Sequence, residues 1–136
     1  MEKEVIKPAT KISKMIAIIR WNAYITSGLL FLLWGSFFVE HLTWFFSPGA
    51  VLPPWHVWLL QAVHLALLIG YLLVYKWPKI ACVVIPISAA GFFAAAAGRN
   101  FIPFLLVSLI PVFLLFWIRS LEKKIPVTIP KNNGHQ

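Results

Sequence analysis

Four apolar blocks, at about 21–46, 55–75, 80–97 and 101–121, occupy most of this 136-residue chain. Each is near the ~20 residues that a helix needs to cross a hydrocarbon core about 30 Å thick. Inside such a core a peptide group finds no water, so each block must satisfy its own hydrogen bonds, which a helix does. The expected fold is an all-α membrane protein, a four-transmembrane-helix bundle. Composition excludes the soluble alternative: 12% of residues are charged and 60% hydrophobic, whereas a soluble domain carries about 25% charged residues.

The breaks between blocks have their own chemistry. Ser47 to Pro54 is rich in Pro and Gly and lacks charge, so it cannot continue a helix. Lys76-Trp77-Pro78-Lys79 reads as a tight basic turn, and Gly98-Arg99-Asn100 as a second turn. Before the first block, Ile12, Met15, Ile16 and Ile19 recur at helical spacing while Lys11, Lys14 and Arg20 stay polar. Residues 1–20 therefore read as a basic amphipathic cytoplasmic segment that lies on the membrane surface or extends the first helix. Residues 122–136 read as a basic disordered cytoplasmic tail. The first block is too long for a signal-peptide core and no small-residue cleavage site follows it, so it is expected to remain in the mature protein.

Basic residues near span ends are retained in the cytoplasm, and their distribution gives a direction. Lys3, Lys7, Lys11, Lys14, Arg20, Lys76, Lys79, Arg119, Lys123, Lys124 and Lys131 fall on one side, eleven against Arg99 alone. Both termini are then cytoplasmic. Trp21, Trp77 and Trp117 fall at the inner interface, and Trp44, Trp55 and Trp58 at the outer one, the level where amphipathic rings settle. The expected location is a multi-pass position in a bacterial or archaeal cytoplasmic membrane, the cell inner membrane. The net charge of +8 flanks apolar blocks instead of forming a stripe for nucleic acid, so lipid headgroups are its counter-charge.

Helices associate in lipid through close backbone approach and polar contacts. Small residues concentrate in the third block, where Ser88, Gly91 and Ala95 belong to overlapping small-xxx-small spacings. They serve packing within the monomer or the seam of an oligomer. Pro86, Pro103 and Pro111 lie inside apolar runs, where each is expected to free a carbonyl and kink its helix. The lone Cys82 reads as a small packed hydrophobe.

Polar residues within the blocks are the candidates for function. Asn22, Thr26, Ser36, Glu40, Thr43 and Ser47 share one face of the first helix, expected to look inward because a mid-membrane charge costs ~2.5–3.5 kcal/mol. Gln61, His64, Tyr71 and Tyr75 form a stripe on the second, with His56 off that face. At ~1.5 Å per residue, Glu40 lies roughly 9 Å and His64 roughly 13 Å below the outer ends of their spans. The outer half of the bundle can thus gather Glu40, His41, His56, Gln61, His64 and Arg99. Glu40 with Arg99 reads as a structural ion pair or as a titrating or substrate-binding site. His41 and His56 read as solvated. His64 reads as a hydrogen-bonded structural group, a proton relay, or a ligand to haem or another metal, with His56 as the other candidate ligand. Two histidines eight residues apart do not make a metal motif, and no phosphate loop, nucleophile elbow or paired carboxylate is present.

Arg20 followed by Gly28-Leu29-Leu30-Phe31-Leu32-Leu33-Trp34-Gly35, and His64-Leu65-Ala66-Leu67-Leu68-Ile69-Gly70 before a basic turn, resemble the DoxX-like group of small four-helix membrane proteins. The resemblance covers the first two spans, implies a four-helix fold, and carries no residue roles. Length and span count also fit small accessory subunits of membrane complexes. The expected function is that of a non-catalytic accessory or partner-binding protein, joined to larger membrane subunits or to copies of itself, with no cofactor by default and haem or quinone left open. The alternatives are a quinone- or haem-interacting redox protein and a small transporter or channel.

Overall fold

A computed structural model describes residues 6–46, 49, 51 and 53–124, and their side chains except those of residues 6–10, 44 and 45. Lys3, Ser47 and residues 125–136, hence most of the tail expected to be disordered, lie outside the described residues. The described chain is helical, with no strand: α1 Ile6–Phe45, α2 Trp55–Lys76, α3 Pro78–Ala96, a 3-10 turn Gly98–Asn100, α4 Phe101–Ser108 and α5 Ile110–Glu122. Three helices are long and apolar enough to cross a membrane, and four segments are if the bent pair α4 and α5 forms one span. The exposed surface is that of an all-α membrane protein, with Leu32 67%, Ile87 68% and Phe113 58% exposed on three different helices. Such residues on every side need an apolar solvent.

Each boundary has a local cause. The extended Pro54 precedes α2, and Trp77 alone separates α2 from α3, with φ −131° and ψ 68° ahead of Pro78 at the first helical position. Proline there gives up an N–H that the helix does not need and pushes its predecessor out of helical geometry. The basic turn is therefore shorter than its four-residue sequence motif. Gly98, at φ +53°, ends α3 in the left-handed conformation that glycine adopts without strain.

The helices follow one another round a ring, and α5 closes it against α1. The basic approach is the first part of α1, one continuous helix. Ile16 and Ile19 are buried in the same core cluster as Leu115, Ile118 and Leu121 of α5. Arg20 Nη2 donates to Glu122 Oε1 at 3.1 Å, bringing the end of α5 to the level of Arg20. The amphipathic approach is thus helical and continuous with the first span from Ile6 onward.

The three prolines act differently. Pro86 sits inside an unbroken α3. Pro103 lies in the first turn of α4, where its missing N–H costs nothing. Pro111 alone accompanies a break, with α4 and α5 bent by 40° about Leu109. The small residues of α3 also divide: Ser88 and Ala89 enter the core, while Gly91, Ala94 and Ala95 are exposed. α2 and α3 also approach closely at Gly70, where an added Cβ would meet Ile85 Cγ1 at 2.8 Å. Cys82 is a free thiol, half-buried against the core.

Candidate functional site

The bundle interior contains a column of polar groups along α2. Tyr71 is fully buried, and its hydroxyl donates to the Ser108 carbonyl at 3.3 Å. Ser27 Oγ of α1 donates to the Tyr71 carbonyl at 2.9 Å. One turn on, Tyr75 Oη donates to the Tyr24 carbonyl at 2.8 Å, with the two rings stacked at 5.1 Å. Ser108 ends α4 beside the Pro111 break, where Leu109 N–H turns back to Leu105 and Leu106 and Phe113 N–H takes the Leu109 carbonyl. The Tyr71 hydroxyl serves the carbonyl exposed at that break, as a backbone buried in lipid requires.

His64 stands two turns above Tyr71 on the same face of α2. It is fully buried between Phe92, at 4.2 Å between ring centroids, and Phe38 at 5.3 Å, edge-on. Neither ring nitrogen has a hydrogen-bond partner, and the nearby Trp34 carbonyl does not meet hydrogen-bond geometry. The Trp34 indole N–H and Ser108 Oγ are also buried and short of hydrogen-bond geometry, with the Tyr71 hydroxyl near both. His64→Leu removes an unsatisfied imidazole from an aromatic setting at similar volume. It is expected to leave stability unchanged or raise it by up to about 2 kcal/mol in thermal unfolding. A loss of that size would mean that the imidazole is held by a group it serves.

Above His64 a cavity of about 640 Å³ opens among α1 to α4. Trp34, Phe37, Phe92, Phe93 and Phe104 line it, and His41 and Gln61 are its polar members. Gln61 Nε2 donates to the Phe38 carbonyl at 3.3 Å, and His41 Nδ1 donates to the Phe37 carbonyl at 2.6 Å. The structure thus brings Gln61 and His41 to one cavity and His64 behind its Phe92 wall.

It does not bring in the other three. Glu40, His56 and Arg99 are exposed, and the ion pair among the described residues is Arg20 with Glu122, not Glu40 with Arg99. The inward face expected for α1 is corrected likewise: Asn22, Ser36, Glu40 and Thr43 are exposed and Thr26 half-buried. Asn22 donates to the Ile18 carbonyl, Ser36 to Leu33 and Thr43 to Glu40, at 2.9, 2.7 and 2.7 Å. These bonds to their own helix are why the monomer can fold without burying the three side chains. Glu40, five residues from the end of α1, stands where a carboxylate can reach the headgroup layer. His56 lies in the first turn of α2, edge-on to Trp55 at 6.3 Å. No three His, Cys, Asp or Glu residues among the described ones could share a metal.

Sequence reasoning passed over Trp34, Phe92, Phe93 and Phe104, because aromatic residues in an apolar run look alike whether they line a cavity or face lipid. Comparison of the chain with protein-family models, with curated proteins and with solved structures gave no match, so the resemblance of its first two spans to the DoxX-like group gains no support.

Proposed function

We propose that this chain is a small, non-catalytic membrane protein that crosses the bilayer four times with both termini in the cytoplasm. It docks another membrane subunit, or a second copy, along the outer half of α1. The observation that carries this reading is the outward face of α1, where Ser36, Glu40 and Thr43 stand exposed among Leu29, Leu32, Leu33 and Val39. Polar side chains on a lipid-facing helix act as interhelical glue, and Glu40 at the headgroup end of the same face adds a charge that a partner can pair. The return of α5 to the level of Arg20 supports the fourth crossing.

The test has two arms. A photo-crosslinking residue in place of Ser36 is expected to give a discrete protein adduct in native membranes, whereas one in place of Phe113 on α5 gives none. Protein purified from native membranes in mild detergent is expected to run above the monomer mass. A monomer at every detergent level, with lipid adducts alone from Ser36, overturns the reading. The redox alternative needed His64, His56, Glu40 and Arg99 together, and the transport alternative needed Glu40 on an internal path. Three of those groups are exposed, so neither alternative has a geometric basis in that form.

A further inference from the structure

We infer that the outer-half cavity is a binding site for a neutral, flat-ringed lipid with one hydrogen-bonding head group, taken up sideways from the bilayer. The proposal does not rest on the docking face of α1, with which the cavity shares only Leu33 at its edge. Its volume of about 640 Å³ falls in the range of about 300–1,000 Å³ usual for small-molecule sites.

Three features select the ligand. The first is the wall, a contiguous aromatic cluster: Trp34 lies 4.8 Å from Phe93 and 6.0 Å from Phe104, and Phe93 lies 5.9 Å from Phe104, nearly parallel to it. A flat ring gains stacking and edge-to-face contacts on such a wall that a methylene chain does not. The second is charge. No Lys, Arg, Asp or Glu side chain lines the cavity, so an ionic head would be buried without a counter-ion and a neutral one is preferred. The third is direction. Gln61, anchored through Nε2 to Phe38, keeps its amide oxygen as an acceptor on the α2 side of the cavity and so orients a hydroxyl or ring-borne polar group there. Phe92 is shared, with its ring both lining the cavity and resting on His64 at 4.2 Å, tilted by 32°, so a bound ring packs against the support of the buried imidazole.

Two residues offer a way to fill the cavity. Ala96 of α3 and, facing it from α4, Val107 both line it and both are exposed, so a larger side chain at either fills the cavity without entering the core. The test is thermal unfolding of the full chain in mild detergent, with decylubiquinone and cholesterol as flat-ringed probes and 1-dodecanol as a flexible-chain probe. At least one ring probe is expected to stabilise the protein saturably and more tightly than dodecanol, and which one does so identifies the ring class. Ala96→Phe and Val107→Phe are each expected to weaken that probe by about tenfold or more while leaving the melting temperature of the unliganded protein unchanged. If one variant fails to fold, the other decides. Equal responses to all three probes, no response to any, or a ring response that survives in the folded variant overturns the proposal.

Discussion

Gly70→Leu is expected to destabilise the bundle by about 3 kcal/mol, the upper end of what overpacking costs. Gly70 is buried where α2 meets α3, and even a bare Cβ there would sit 2.8 Å from Ile85 Cγ1 and 3.3 Å from Val84 Cγ1. The Ile85 backbone nitrogen follows at 3.5 Å, so side-chain rotation alone cannot make room for leucine and the helices must part. In lipid no hydrophobic drive returns them, because acyl chains are as apolar as the core, and the close contact itself is what holds the pair. Gly70→Ala should cost less, about 1 kcal/mol. Gly28→Ala is the control: its Cβ would meet only the Tyr75 hydroxyl, at 3.1 Å, at the end of a side chain that can move. Reversible unfolding in mixed detergent, followed by circular dichroism, measures the series. A Gly70→Leu protein as stable as the parent would mean that α2 and α3 are not packed as described.

Tyr71→Ala is expected to be as damaging or more so, at about 3–5 kcal/mol, the cost of truncating a buried aromatic ring. The side chain is fully buried, and its hydroxyl serves the Ser108 carbonyl where the fourth segment breaks. Tyr71→Phe keeps the ring and removes the hydroxyl with its bond to Ser108, for about 1 kcal/mol. The two variants separate packing from capping of the break. If Tyr71→Phe costs as much as Tyr71→Ala, the hydrogen bond to Ser108 dominates and the ring only carries it. If neither costs anything, the polar column is not a structural element.

The helices were legible in the sequence because their punctuation is chemical. Pro54, Pro78 and Gly98 act at chain level, and each boundary falls within a few residues of where those residues demand it. The helical spacing of the basic approach was legible, whereas its sharing of one core cluster with Leu115, Ile118 and Leu121 of α5 is a long-range contact that no local signal encodes. The candidate site was legible only in part, for a reason particular to lipid. A polar stripe gives the residues that share a helix face, yet in an apolar solvent the opposite face is apolar too, so the direction of the stripe is not encoded. The α1 stripe with Glu40 was therefore assigned inward and lies outward, whereas on α2 His64 and Tyr71 are buried. Proline chemistry was visible at Pro86, Pro103 and Pro111, but only Pro111 accompanies a break, and the Tyr71 hydroxyl that serves the Ser108 carbonyl there comes from 37 residues earlier in the chain.

Whether the bent pair α4 and α5 completes a fourth crossing is tested most directly by thiol accessibility. In a Cys82→Ala background, single cysteines replace Ser13, Trp77, Asn100 and Lys124, and intact cells are treated with a membrane-impermeant maleimide. With four crossings and both termini inside, Asn100→Cys alone reacts, and the other three react only after the membrane is opened. Reaction of Lys124→Cys from outside together with Asn100→Cys would make α4 and α5 a re-entrant hairpin in a three-span protein and contradict the account.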